Sequence, residues 1–183
     1  LYERGYNVFA PLLAGHEHLK ALHRGETSWQ DCFIKVLADA QAFKPTSRRL
    51  HVLGSSYGGT LAYLLGCELS DSLASVIALS APVIGNDGWE PQDPWGLEVK
   101  GAILAADHYL PSLEVPTLIG HAFDDTLVVI QNAYDALRKV AAARKKLIVY
   151  CGVAHGLGFA QNTRELAGDL DQFMQFTVPP RRV

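Results

Sequence analysis

The sequence predicts an α/β fold in which a mostly parallel sheet is covered by helices on both faces. Short apolar, β-branched runs alternate with longer amphipathic segments along the chain, which is the βαβα pattern of such folds. The strand-like runs are apolar at nearly every position, as expected of strands buried on both faces. The size agrees, because 183 residues with 49% hydrophobic content fit a single soluble globular domain over 1–183.

Five strands and four helices follow from this pattern. The strands are predicted at "YNVFA" (6–10), "LHVLG" (50–54), "SVIALS" (75–80), "PTLIGHA" (116–122) and "KLIVYC" (146–151). The helices are predicted over 29–43, 58–69, 130–143 and 163–176. The last helix carries an apolar stripe that should pack on the sheet, formed by Leu166, Leu170, Phe173 and Met174.

One segment, 81–114, interrupts the alternation. Several prolines and glycines break any period there, and Trp89, Trp95 and Tyr109 lie among them. Long irregular segments inside compact domains are usually functional, so we interpret 81–114 as a short lid-like insertion over a site. A plain surface loop is the alternative.

Composition and charge exclude several classes of function. The formal net charge is −3 with no basic block, so the sequence does not predict a nucleic-acid partner. No apolar run approaches the ~20 residues of a membrane-spanning helix. Cys32, Cys67 and Cys151 lack metal-ligand spacing and are expected to be reduced thiols in a cytoplasmic protein, with no metal and no cofactor.

The stretch "HVLGSSYGGT" (51–60) places Ser56 between a predicted strand and a predicted helix. Gly54 and Gly58 frame this serine at positions −2 and +2, which is the G-x-S-x-G pattern of a nucleophile elbow, and Gly59 would allow close helix packing. The backbone N–H of Tyr57, at the start of the helix, would be an oxyanion donor. A turn with a capping serine is the alternative.

A serine nucleophile needs a histidine base and an acid that orients it. Asp124 and Asp125 follow the strand at 116–122, and His155 follows the strand at 146–151 on a glycine-flanked loop. These are the carboxyl ends of predicted parallel strands, where the sites of such sheets are built. The remaining histidines lack this placement and are expected to be structural or exposed: His16, His18, His23, His51, His108 and His121.

With these residues in place, the chain resembles an α/β-hydrolase, specifically the carboxylesterase and monoacylglycerol lipase branch. The stretches "GYNVFAPLLAGHE" (5–17), "TSWQD" (27–31) and "LEVPTLIGHAFDDTLV" (113–128) are similar to segments of that branch. Aligning "DTLV" on the D-x-x-V of the branch selects Asp125 rather than Asp124 as the acid.

The resemblance implies a serine esterase that cleaves carboxylic esters of short or medium acyl chain through Ser56, His155 and Asp125. Its partner would be a small-molecule ester, and the oligomeric state is left open. Peptidases, thioesterases and C–C hydrolases share the elbow. A non-catalytic or severely impaired hydrolase-like protein is the alternative from a different class.

The resemblance also implies a departure near the beginning of the chain. In the family fold, a strand carrying the other oxyanion donor lies between the strands matching 6–10 and 50–54, and it is absent from this sequence. We expect either that the sequence is a fragment of a longer product with an incomplete N-terminal part, or that 6–10 pairs directly with 50–54.

Overall fold

The computed structural model describes residues 1–16, 26–85, 88–157 and 163–177. Short 3₁₀ turns occur at Tyr2–Arg4, Lys44–Thr46, Ser70–Ser72 and Leu110–Ser112. None of the helices in the described ranges is long and apolar enough to cross a membrane. In chain order the elements of the described ranges are α1 (Trp29–Phe43), β1 (Leu50–Ser55), α2 (Tyr57–Glu68), β2 (Leu73–Leu79), α3 (Pro94–Tyr109), β3 (Thr117–Ala122), α4 (Gln131–Lys139), β4 (Lys145–Tyr150) and α5 (Thr163–Phe176).

The four strands form one parallel sheet in the order β1-β2-β3-β4. Ser55 at the end of β1 is in register with Leu79 of β2, and Ala122 at the end of β3 is in register with Tyr150 of β4. The carboxyl ends of the strands therefore lie along one edge of the sheet, where binding and catalytic loops of α/β folds are found. The predicted α/β class with a mostly parallel, helix-covered sheet is confirmed.

Helix α5 covers one face of the sheet. Ile77, Leu79 and Leu118 on this face are buried in one cluster with Leu170 and Phe173 of α5. All four residues of the predicted apolar stripe are buried, namely Leu166, Leu170, Phe173 and Met174. The 3.6-residue spacing of the stripe thus predicted correctly which side of this helix faces the core.

The opposite face of the sheet is covered by α2 and α4. Val76, Ala78 and Ile119 pack with Tyr63 of α2 and Ala136 of α4. Helix α2 is buried along most of its length, since a further layer of α1 and α3 lies outside it. Eight consecutive residues of α2, from Gly59 to Gly66, are buried, which explains why this helix is apolar on all sides.

The sequence at 27–31 begins α1 through a capping box. The side chain of Ser28 accepts a hydrogen bond from the backbone N–H of Asp31, and the Asp31 carboxylate accepts one from the N–H of Ser28. A hydrogen bond that the Ser28 hydroxyl donates to the Asp31 carboxylate, followed by the one from the Ser28 N–H, lowers the pKa of the Asp31 carboxyl below its ordinary value. A residue distant in the sequence also holds this end, since the N–H of Trp29 donates to the Glu98 carboxylate at 2.8 Å.

The segment 81–114 is more regular than the sequence indicates, because it contains the 16-residue helix α3. Its start is capped by Asp93, whose side chain accepts from the N–H of Gly96 at 2.9 Å, and Pro94 occupies the first helical turn. Proline is well tolerated at that position because no hydrogen bond of its nitrogen is required there. The expectation of an aperiodic segment is therefore wrong for 94–109, and a lid role stays a prediction.

The predicted strand at 6–10 is not present. Within the described ranges no backbone hydrogen bond joins 5–13 to β1, so the alternative in which the two segments pair directly is also wrong. A cavity of about 870 Å³ lies between them, lined by Val8 and Phe9 on one side and by Leu53 and Ser55 on the other. The run at 6–10 has strand-like side chains, but a strand exists only with a partner for its backbone groups.

Candidate active site

Ser56 stands alone between the last residue of β1 and the first residue of α2. Its backbone has φ 54° and ψ −126°, a conformation that a residue with a side chain rarely adopts and that costs on the order of 1–3 kcal/mol. The N–H of Ser56 donates to the carbonyl of Leu79 on β2 at 2.8 Å, and its own carbonyl accepts from the N–H of Gly59 at 2.8 Å. The strained backbone is thus held from both sides.

Two glycines allow the strand and the helix to meet this closely. A Cβ added at Gly54 would lie 1.9 Å from the carbonyl oxygen of Gly58, and one at Gly59 would lie 2.6 Å from the Cβ of Ala81. The close packing predicted for Gly59 is therefore confirmed. A Cβ at Gly58 would meet nothing within 4 Å, so the steric need predicted from the spacing does not apply to Gly58.

His155 lies between Ser56 and Asp125. Its Nε2 is 2.8 Å from Ser56 Oγ, and its Nδ1 is 2.8 Å from Asp125 Oδ2. A carboxylate only accepts hydrogen bonds, so Nδ1 carries a proton and donates a hydrogen bond to Asp125. In the neutral ring Nε2 is then an acceptor for the Ser56 hydroxyl, which is the arrangement a general base requires.

The carboxylate of Asp125 is completely buried and is held by backbone groups of its own loop. Its Oδ1 accepts from the N–H groups of Leu127 at 3.0 Å and Val128 at 2.9 Å. Burial alone would raise the pKa of Asp125, but the hydrogen bonds from Val128, His155 and Leu127 outweigh it and hold the pKa below the ordinary value. Asp125 is therefore ionised at neutral pH.

Of the two aspartates in this loop, the structure brings only Asp125 against His155. Asp124 is exposed, whereas Asp125 is 5% exposed as a whole residue. The chain order serine, aspartate, histidine follows from the three strand ends that carry them, those of β1, β3 and β4.

Tyr57 begins α2 directly after Ser56, and its backbone N–H belongs to the first turn, where helical N–H groups have no partner within the helix. Its ring packs edge-on against Trp95 of α3, with centroids 5.2 Å apart. Burial, with a smaller contribution from Cys32, raises the pKa of the Tyr57 phenol, which therefore stays neutral. Helix α3 thus contacts the residue next to Ser56.

Sequence reasoning missed one residue of this region. His121, expected to be merely structural or exposed, is fully buried beside Asp125. The only sequence signal was its position near the carboxyl end of a strand that is otherwise apolar. His18 and His23 lie outside the described residues.

No cluster of ligand-type side chains that could hold a metal occurs in the described ranges. Cys32, Cys67 and Cys151 are not joined by disulfide bonds in the described ranges.

Comparisons with known proteins extend the description of the fold. The sequence matches no protein-family model and no curated protein. Its structure is similar to one reported for LipS and LipT, two metagenome-derived lipolytic enzymes. The TM-score is 0.86, and the identity is 15% over 96% of this chain and 84% of the other.

Two further solved structures are similar. A soluble variant of monoglyceride lipase from Saccharomyces cerevisiae has a TM-score of 0.70 and 14% identity over 86% of this chain and 73% of the other. The monoacylglycerol lipase of Paleococcus ferrophilus has a TM-score of 0.69 and 12% identity over 83% and 77% of the two chains. The chain has the α/β-hydrolase fold, and its neighbours in structure include lipases of the monoacylglycerol type.

Proposed function

We propose that this protein is a serine hydrolase that cleaves carboxylic esters, with Ser56 as nucleophile, His155 as general base and Asp125 as the acid that orients the histidine. The observation that supports this proposal most strongly is the continuous hydrogen-bonded chain from Asp125 through His155 to Ser56, with both bonds at 2.8 Å. The strained backbone at Ser56 supports it independently, because strain of this kind concentrates at functional sites.

In the proposed reaction, Ser56 Oγ attacks the acyl carbon while its proton passes to Nε2 of His155. The resulting imidazolium donates through Nδ1 to the ionised Asp125, which stabilises the new positive charge. Collapse of the tetrahedral intermediate expels the alcohol, which takes the proton from Nε2. Water, deprotonated by the same nitrogen, then attacks the acyl carbon. The bond between Ser56 Oγ and the acyl carbon breaks, Nε2 returns the proton to Oγ, and the carboxylic acid leaves.

The oxyanion of the tetrahedral intermediate would be stabilised by the N–H of Tyr57 and by the positive end of the 12-residue helix α2. A single donor of this kind is worth about 10² to 10³ in rate. The residues predict only this one oxyanion donor. A severely impaired hydrolase-like protein is therefore the alternative to the full proposal.

We assign the substrate class as neutral esters with short or medium acyl chains, hydrolysed by residues 1–183 acting as one domain. The lipases among the structural neighbours support an apolar ester substrate. Matched p-nitrophenyl ester, thioester and anilide substrates would distinguish esterase activity from thioesterase and peptidase activity.

The experiment that tests the proposal compares the wild type with Ser56→Ala on p-nitrophenyl butyrate and by labelling with a fluorophosphonate. We expect loss of turnover by about 10⁴-fold or more, together with loss of the label, because the three residues act as a unit. Ser55→Ala is the matched control, since Ser55 is the adjacent, exposed serine at the end of β1 while Nε2 of His155 is bonded to Ser56, and this variant should keep the label. Turnover by Ser56→Ala at a tenth of the wild-type rate would overturn the assignment.

A further inference from the structure

His121 occupies the second-to-last position of β3, directly behind the loop that carries Asp125. It is completely buried, and its Nε2 lies 2.7 Å from the carbonyl oxygen of Val128 and 3.7 Å from Asp125 Oδ2. A polar ring at such a position in an apolar strand requires an explanation, because burying it costs free energy unless its hydrogen bonds are used.

The partners of His121 determine its protonation. A carbonyl oxygen only accepts hydrogen bonds, so Nε2 carries the proton and donates a hydrogen bond to the carbonyl of Val128. Burial, the largest effect, lowers the pKa of His121 below the ordinary histidine value, despite the opposing influence of the Val128 carbonyl and of Asp125. His121 is therefore a neutral ring with a fixed Nε2–H tautomer.

Val128 is bonded from both sides in this arrangement. Its N–H donates to Asp125 Oδ1 at 2.9 Å, and its carbonyl accepts from His121. The ring of His121 thus holds the same residue that holds the carboxylate. The remaining oxygen, Asp125 Oδ2, faces His155 at 2.8 Å and is also the oxygen nearest to His121.

We propose that His121 is a positioning residue: by fixing Val128, it orients the Asp125 carboxylate toward His155. This inference rests on the proposed function of Ser56, His155 and Asp125. It assigns His121 no contact with substrate. Its effect is that the carboxylate meets Nδ1 of His155 in one orientation, so that Nε2 is aimed at Ser56.

The test compares three substitutions that differ in whether they can still donate to the Val128 carbonyl. His121→Gln places an amide N–H near the position of Nε2. His121→Asn carries the same amide on a shorter side chain that does not reach it, and His121→Leu removes the donor. The variants are assayed for kcat and KM on p-nitrophenyl butyrate across pH, with folding checked by thermal unfolding.

We expect His121→Asn and His121→Leu to lower kcat by about 10- to 100-fold with little change in KM, since the loss is one of orientation. His121→Gln should recover kcat to within a few-fold of wild type. Equal activity in all three variants, or an equal loss in Gln and Leu, would overturn the proposal.

A second readout does not depend on turnover. The Nδ1 proton of His155, bonded to Asp125, should give a downfield proton resonance in the wild type and in His121→Gln that weakens or disappears in His121→Asn. If Ser56→Ala keeps its esterase activity, the proposed function fails, yet this resonance still decides the positioning role. An unchanged resonance in folded His121→Asn would overturn it, even if His121→Leu does not fold.

Discussion

His51 of β1 and Ser75 of β2 face each other in register, and Nδ1 of His51 lies 2.8 Å from Oγ of Ser75. Burial, followed by the nearby charge of Arg49, lowers the pKa of His51 to about 4. The ring is therefore neutral in the folded protein at pH values where an exposed histidine would be protonated. The neutral ring and its hydrogen bond to Ser75 therefore join β2 to β1, the strand that leads into Ser56.

This pairing predicts acid sensitivity. Because the pKa of His51 is depressed in the folded state relative to ~6.5 in the unfolded chain, the unfolded state binds more protons between these values. The free energy of unfolding should have its full value above pH ~6.5 and decrease as the pH falls toward 4. Because the ring is only partly buried, this decrease should be smaller than the ~1.4 kcal/mol per pH unit of a fully buried histidine.

Denaturant unfolding at pH 7 and pH 5 measures this effect. We expect His51→Gln to reduce the loss of unfolding free energy between the two pH values, whereas His108→Gln, at an exposed position, keeps the wild-type loss. If His51→Gln lost as much unfolding free energy between pH 7 and pH 5 as the wild type does, other groups would be the cause of the acid sensitivity.

The two aspartates of one loop should differ sharply in their effect on activity. In the proposed mechanism, Asp125→Asn would remove the charge that stabilises the imidazolium and would favour the wrong tautomer of His155, so kcat should fall by about 10⁴-fold. Asp124→Asn changes an exposed side chain and should stay within a few-fold of wild type. Steady-state kinetics on both variants decides the assignment, and a larger loss in Asp124→Asn would reverse it.

The approach of strand and helix at the elbow predicts a contrast between two glycines. Gly54→Ala forces its Cβ against the backbone of Gly58, which only a backbone shift can relieve, so we expect destabilisation by roughly 3 kcal/mol or more. Gly58→Ala has open space and a helical position, so its stability should change by less than about 1 kcal/mol. Thermal and denaturant unfolding of the two variants provide the comparison, and equal losses would show that the elbow tolerates a side chain at 54.

The outer side of β1 should promote self-association. β1 is an outer strand of the described sheet, Leu53 on it is 44% exposed, and Phe9 across the cavity is also exposed. Unpaired strand edges with apolar side chains pair with other chains unless a charge blocks them.

Leu53→Lys should therefore shift residues 1–183 toward the monomer in concentration-dependent size-exclusion chromatography. Leu97→Lys, at an exposed leucine of α3, is the matched control and should elute as the wild type does. A wild-type protein that is monomeric at all concentrations would contradict this role of the edge.

Four of the five strands could be predicted from their apolar runs, although only β2 and β3 are buried along nearly their whole length, and the outer strands β1 and β4 are only partly buried. The proximity of Ser56, Asp125 and His155 followed from the convergence of parallel strand ends. The prediction of a strand at 6–10 was wrong because a strand needs a hydrogen-bonded neighbouring strand, and the side chains of a segment do not show whether such a neighbour is present. Helix α3 was missed because the prolines and glycines of 81–114 obscure its period, although Pro94 lies in the first turn, where proline is compatible with a helix.

The placement of Ser56 and His155 after the two outer strands of the described sheet has a consequence for local unfolding. Outer strands have hydrogen-bonded neighbours on one side only, so their amide protons exchange through openings that cost less free energy than global unfolding. Opening of either β1 or β4 would separate the serine from the histidine while β2 and β3 remain paired. The hydrolysis proposed for this site would then be lost at a lower denaturant concentration than the bulk of the helical signal, so that the protein would be inactivated before it unfolds.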